Sequence, residues 1–366
     1  MAVRPPALHG GNVYAAAREL RQPVDALLDF SASINPLGPS PCAVRALKQA
    51  IALIGHYPDP DCTDLKTALA SRLRVSTASI TIGNGSSELI QVLPRVLNTR
   101  HALIVGPTFS SYASAVELGG GACSFLLASR RENYRPPLER ILRSFIIHRK
   151  KGRPVDTVFL CNPNSPTGQL CDSRELVRVV RTACDEGVWV VLDETFIEYC
   201  PAQSMLKLLS ACPRLVILRS FTKFYALPGL RVGYAIASRA VTAGLQRWLP
   251  TWSVNSAAQL AAVAALCDHR HAARSLTYMD SERKRFLRKL SGLRGVTPIP
   301  THCSFVLLEL PTAKSRIASI RSLRQKGILV RDCSTIRGLT PRTIRVAVRS
   351  RNENDRFVSA IKALVS

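Results

Sequence analysis

The sequence is short of acidic residues. Its 366 residues hold 25 Asp and Glu against 50 Lys and Arg, a formal net charge of +25. Long apolar runs are absent as well. No stretch of about 18 apolar residues occurs, so no membrane-spanning helix is expected. The opening MAVRPPALHGGN has no apolar core of a secretory signal, which points to a cytoplasmic protein. The eleven cysteines are odd in number and scattered, with no C-x-x-C pair. That pattern excludes a disulfide framework or a zinc cluster, and no metal is expected. Disorder is excluded in turn, because 46% of the residues are hydrophobic.

The positive charge invites a polyanion partner. Its distribution argues otherwise. The 39 Arg and 11 Lys are spread along the chain. The densest stretch, Arg130 to Arg153, holds nine basic residues against Glu132 and Glu139. No helix-turn-helix, zinc finger or aromatic-interleaved RNA motif accompanies it. Most of this charge reads as a solvated surface, with no nucleic-acid partner expected. Attraction of small anionic substrates is the functional use left open.

Short β-branched runs alternate with amphipathic helical patterns. Strands are expected at Ile80–Ile82, Ala102–Val105, Val155–Leu160, Val188–Leu192, Leu215–Leu218 and Val232–Ala237. A helix is expected over Ser86–Leu97, and another over Ser173–Glu186 opening on a serine cap. Alternation of this kind predicts an α/β fold with a mostly parallel central sheet. Beyond about residue 250, long helices over Asn255–Cys267 and His271–Leu290 precede short strands at Ser304–Glu309, Ile328–Arg331 and Thr343–Val348. A smaller α+β domain is expected there. The implied division is 1–47 as an N-terminal arm with part of the small domain, 48–254 as the large domain, and 255–366 as the small one.

Ligands of open α/β sheets bind beyond the carboxyl ends of the strands. Four strand ends in succession carry chemistry. The first is Gly83-Asn84-Gly85-Ser86-Ser87, a turn opening a helix and suited to a phosphate. The second is the polar turn Asn162-Pro163-Asn164-Ser165-Pro166-Thr167-Gly168. The third is Asp193, able to accept a proton from a heterocyclic nitrogen. The fourth is Ser220-Phe221-Thr222-Lys223, with Arg231 eight residues on. A poorly hydrated lysine there favours its neutral, nucleophilic amine. Each feature alone is an ordinary turn, cap or surface cation; the ordered set is specific.

On these motifs the chain resembles the fold-type I aminotransferase family of pyridoxal 5′-phosphate enzymes, over essentially its whole length. The resemblance implies that Lys223 is catalytic and links to the cofactor aldehyde. It implies that Asp193 keeps the pyridine nitrogen protonated, that Gly85, Ser86, Ser220, Thr222 and Arg231 hold the phosphate, and that Phe109 stacks on the ring. Tyr57 would reach the cofactor phosphate of a neighbouring subunit, so a homodimer is implied. Within the family, His9-Gly10-Gly11-Asn12, the segment Asp29 to Gly38, Arg219 to Arg231 and Arg331-Asp332-Cys333 look most like the threonine-phosphate decarboxylases of cobalamin biosynthesis. That likeness implies a phosphorylated amino-acid substrate. Arg345 would bind its carboxylate, and His9, Asn35 and Arg331 its phosphate. Histidinol-phosphate-type transamination is the alternative, and a catalytically silent basic binding protein on the same fold a third. Two positions depart from the general aminotransferase pattern. Ser165 stands where an asparagine usually donates to the ring oxygen, and Phe196 where many members carry a tyrosine.

Overall fold

A computed structural model describes residues 10–365. Seven strands form the large sheet: β1 (Ile80–Gly83), β2 (His101–Gly106), β3 (Ala122–Leu127), β4 (Thr157–Cys161), β5 (Trp189–Asp193), β6 (Leu215–Ser220) and β7 (Gly233–Ile236). Their order is β1-β7-β6-β5-β4-β2-β3. Only β7 runs antiparallel to its neighbours. The α/β fold with a mostly parallel sheet is therefore as the alternation predicts.

The buried runs explain why these segments are strands. Thr157–Cys161 and Leu215–Ser220 are buried at every residue. Alternate side chains serve opposite faces, as the two-residue period of a strand requires. Val158, Leu160, Val190, Leu192, Leu215 and Ile217 fill one core. Phe159, Cys161, Val191, Val216 and Leu218 fill the other. The edge strand β3 has no counterpart in the sequence reading. It follows Gly119-Gly120-Gly121, and only Leu126 in it is buried. The strand expected from Val155 starts at Thr157. The Asp156 carboxylate accepts the backbone N–H of Arg100 (2.8 Å) and His101 (2.9 Å), fastening the start of β2 instead.

Helices cover both faces. The four that matter below are α1 (Pro41–Ala50), α2 (Ser86–Val96), α3 (Ser256–Cys267) and α4 (His269–Ser291). A small sheet follows in the order β10-β11-β9-β8, with β8 (Thr297–Ile299), β9 (Phe305–Glu309), β10 (Arg331–Asp332) and β11 (Thr343–Ala347). Leu28–Asp29 of the N-terminal arm pairs in parallel with Ile328–Leu329, and Phe30 enters the small core.

Core membership moves the expected domain limits. Ala43 of α1 and Ala258, Ala261, Ala262 and Ala265 of α3 lie in the large core. Divisions at 47/48 and 254/255 therefore cut through packing that belongs together. The transition falls inside α4: Ala272 and Leu276 pack on the large core, while Met279, Phe286 and Leu290 fill the small one.

A helix cap is also corrected. Ser173 does not cap the helix Ser173–Asp185. Asp172 does, accepting from Arg174 N (2.9 Å) and Glu175 N (3.0 Å). Loss of such a cap costs about 1 kcal/mol. Asp172→Ala should lower the free energy of denaturant unfolding by that amount, while Ser173→Ala changes it little. Equal effects of the two substitutions would contradict the assignment.

Candidate active site

The chain leaves β2 toward the edge strand β3, then returns to place β4 on the other side of β2. That reversal puts a crevice at the carboxyl ends of β2 and β4, where open α/β sheets bind ligands. A cavity of about 450 Å³ opens there. It is lined by Ser86, Phe109, Ser165, Asp193, Ser220, Thr222, Lys223, Arg231, Arg331 and Arg345, among others. The expected residues thus converge from segments far apart in sequence.

Lys223 follows β6 through two residues. Burial, with Arg345 and then Arg231 adding to it, brings its ammonium down to about 8. Both causes disfavour a positive charge, so a large neutral fraction exists only a little above neutrality. Ser220 and Thr222 stand just before it, their hydroxyls 2.8 Å apart.

A glycine-lined cradle lies on the same side. Gly85 has φ +75, and a Cβ there would sit 2.3 Å from Arg231 Nη2. A Cβ on Gly233 would sit 2.4 Å from Ser86 N. Only glycine lets the guanidinium and the N-terminus of α2 approach so closely. The α2 N-terminus has no side-chain cap. An uncapped helix N-terminus beside an arginine suits a phosphate group.

Asp193 is buried at the end of β5. Its Oδ2 accepts from the Tyr112 hydroxyl (2.6 Å) and its Oδ1 from Thr195 N (2.9 Å). Burial pushes its carboxyl up, opposed by these hydrogen bonds. Among the described residues no cationic side chain pairs with it. A protonated ring nitrogen would supply the missing positive charge. The neighbouring Glu194 does have its cation. Arg219 donates to Glu194 Oε2 through Nε (3.0 Å) and Nη2 (2.8 Å), in a buried pair that ties the end of β5 to the end of β6. Asp193 and Lys223 are thereby fixed relative to each other.

The polar turn after β4 divides its work. Asn162 Oδ1 accepts from Cys171 N (2.8 Å), and Asn164 Nδ2 donates to Thr167 Oγ1 (2.7 Å) and Pro107 O (2.8 Å). Both asparagines shape the turn, and Asn164 also fastens it to the residue after β2. Ser165 is left facing the cavity, where its Oγ accepts from Arg345 Nη1 (3.0 Å).

Arg331 and Arg345 stand directly opposite each other in the β10–β11 ladder. Both line the cavity, and Arg331 is 8% exposed. Arg345 also donates from Nη2 to Ser31 O (3.0 Å), and its guanidinium lies 5.0 Å from the Phe305 ring centre. Among the described residues its buried Nε has no partner, and neither has Thr108 Oγ1, on another lining residue. Like charges opposite one another in a ladder repel. Burial and Arg331 together hold the Arg345 guanidinium below its ordinary value. A bound anion would relieve both.

Two expected residues are placed elsewhere. Asn35 does not line the cavity. It is buried, donating from Nδ2 to Phe224 O (2.9 Å) and Ser275 Oγ (2.8 Å) and accepting from Leu37 N. Its backbone N–H reaches Lys223 O (3.0 Å). In this arrangement its amide and its backbone help seat the Lys223 segment. Tyr57 is 79% exposed and stacks on Trp252, with centroids 4.5 Å apart, away from its own cavity. His9 lies outside the described residues; its neighbour Gly10 lines the cavity. Tyr112, Thr195, Ser31 and Ile336 were not anticipated. Nothing local marks Tyr112: its bond to Asp193 spans 81 positions.

A lysine, an uncompensated buried carboxylate and a phosphate cradle on this sheet define a fold-type I pyridoxal 5′-phosphate enzyme. The residues present fit that cofactor at its aldehyde, ring nitrogen and phosphate. The chain belongs to the class I and II aminotransferase family, whose profile matches residues 25–361. It is 36% identical over 362 residues to a threonine-phosphate decarboxylase of Salmonella typhimurium, covering 98% of this chain and 96% of that protein. It is 33% identical over 367 residues to a histidinol-phosphate aminotransferase of Moorella thermoacetica, covering 99% and 91%. A crystal structure of the histidinol-phosphate aminotransferase from Clostridium acetobutylicum superposes with a TM-score of 0.84 at 29% identity, covering 92% of this chain and 99% of that one.

With Lys223 as the lysine that links to the cofactor, capture would depend on pH. Only the neutral amine attacks the cofactor aldehyde, so the capture rate should rise through about pH 8 and level off. Stopped-flow absorbance of the apo-protein mixed with pyridoxal phosphate measures this. A rate still climbing steeply near pH 10 would contradict the desolvated lysine.

Proposed function

We propose that the chain decarboxylates L-threonine O-3-phosphate to (R)-1-aminopropan-2-yl phosphate and CO2, a reaction that would serve cobalamin biosynthesis. The observation that carries this reading is the facing pair Arg331 and Arg345 on one hairpin. Two guanidiniums suit a small ligand that carries a carboxylate and a phosphate at once. Phe196 supports the same reading. It lines the cavity, packs edge-on against Phe305 with ring centres 5.0 Å apart, and brings no hydroxyl there.

The cofactor, when bound, supplies an electron sink for cleavage of a bond at Cα. Lys223 would hold its aldehyde carbon, Asp193 the ring nitrogen and the Gly85–Arg231 cradle its phosphate, and Phe109, which lines the same cavity, would pack on it. Ser165, whose oxygen already accepts from Arg345, keeps its hydroxyl proton to donate toward the cofactor. Arg345 takes the substrate carboxylate and Arg331 the substrate phosphate. Grip on the remote phosphate would fix the torsion about Cα and so favour cleavage of one of its bonds over the others. Lys223 would return a proton to Cα, since an ammonium that titrates near 8 still carries one at neutrality.

The test is product analysis of the holoenzyme with threonine phosphate, serine phosphate and histidinol phosphate. Release of CO2 without 2-oxo acid is expected, and it should be lost in Lys223→Ala. Amino transfer from histidinol phosphate to 2-oxoglutarate would overturn the reading in favour of the alternative.

We further infer a two-fold symmetric homodimer in which Tyr57 reaches the partner's cofactor phosphate. Ile51, Ile54, Tyr57 and Trp252 are exposed, with Ile54 at 84%, an apolar group that water does not favour. Sedimentation of the native protein should give a dimer, and Ile54→Asp should dissociate it with loss of activity. A fully active monomer would refute this.

A further inference from the structure

The loop between β10 and β11, residues 333–342, joins the two strands that carry Arg331 and Arg345. It leaves the small unit and docks on the large one. Its neck is closed by Cys333 N to Thr343 O (3.2 Å). Two successive turns follow, Ile336 N to Cys333 O and Leu339 N to Ile336 O, both 3.1 Å. At its tip the Arg337 guanidinium lies over the Phe125 ring, 4.0 Å from its centre. Gly338, at φ +91, packs against Leu127; a Cβ there would sit 3.0 Å from Leu127 Cδ2. Phe125 and Leu127 both belong to the edge strand β3. Beneath the tip, Cys333, Ile336 and Leu339 share a small apolar cluster with Ala128 and Tyr134 of the large unit and Ile299 and Leu307 of the small one.

The loop therefore does more than connect strands. It brings an aliphatic side chain, Ile336, to the cavity that the two arginines line. A ligand held at its carboxylate by one arginine and at its phosphate by the other has its carbon chain between them. The charged groups are then fixed, and what distinguishes such ligands is the substituent on the carbon that bears the phosphate. A β-branched aliphatic residue makes favourable contact with a methyl and offers nothing to a hydrogen.

We propose that Ile336, held in place by the clasp of Arg337 on Phe125, selects a phospho-amino acid bearing a β-methyl over its unmethylated counterpart. The inference rests on the reading of the substrate as a phosphorylated amino acid. Ile336 is the specificity contact, and Arg337 and Phe125 are positioning residues. The methyl is worth roughly 10-fold or more between the two ligands.

Two measurements separate this from the reaction type. Ligand binding is followed by the change in cofactor absorbance of the holoenzyme on titration with threonine phosphate and with serine phosphate. CO2 release is followed separately. The native protein should bind threonine phosphate about 10-fold tighter, and Ile336→Ala should bring the ratio close to one. Ile336→Val, a smaller change, keeps most of the preference and serves if the alanine variant fails to fold. Phe125→Leu should lower the ratio and Phe125→Tyr restore it, because tyrosine keeps the ring face that a general packing role would not need. A native protein indifferent to the methyl, or a ratio unmoved by Ile336→Ala, overturns the proposal. Equal ratios in Phe125→Leu and Phe125→Tyr remove the clasp from it. If the ratios move as stated but no CO2 appears, the decarboxylase reading fails while the selectivity stands.

Discussion

Four cations, Lys223, Arg231, Arg331 and Arg345, share one cavity with a single carboxylate, Asp193. Mutual repulsion and poor hydration make that arrangement unfavourable until anions enter. The rest of the molecule has to hold these groups in place meanwhile. Parallel strands buried along their length fix the ends from which they project. The Glu194–Arg219 pair joins two of those ends. Asn35 and the 3.0 Å bond from its backbone to Lys223 O seat the lysine from the far side. Hydrophobic burial pays for this gathering of charge, and anion binding would relieve it.

The same constraint puts the overall +25 in proportion. Charges beyond about 8–10 Å of solvent are largely screened at physiological salt. Most of the 50 basic residues therefore add little at the cavity. Many are occupied locally, as in Arg285 between Glu282 and Asp355, or Arg349 with Glu353. What sets the charge at the cavity is the placement of four cations, not the total.

Much of this was legible in the sequence because it is written locally. Strands that are buried on both faces show as β-branched runs, and the strand ends carry their glycines, carboxylate and lysine within a few residues. What escaped is made by pairing across the chain. Tyr112 holds Asp193 over 81 positions, and Asn35 holds Phe224 over 189, so the motif that marks Asn35 cannot say what its amide touches. The edge strand β3 was missed because its residues are largely half-exposed and follow three glycines. It is nonetheless the strand on which the Arg337 loop rests. Asp172 and Ser173 are both good caps, and only backbone geometry separates them.

The 23-residue helix α4 begins in the large core and ends in the small one. Asn35 also reaches it, at Ser275, while seating the lysine. The two units are thus not modules that can be exchanged at a linker. A chimera joined at 254/255 would inherit α3 from one parent and its bed of α1 from the other. A crossover placed within α4, beyond Leu276, would keep the large core whole, with Leu28 and Phe30 of the N-terminal arm still crossing into the small one. Divergence in this molecule is accordingly freer in the loops over the cavity, where substrate preference can change, than at the junction that carries them.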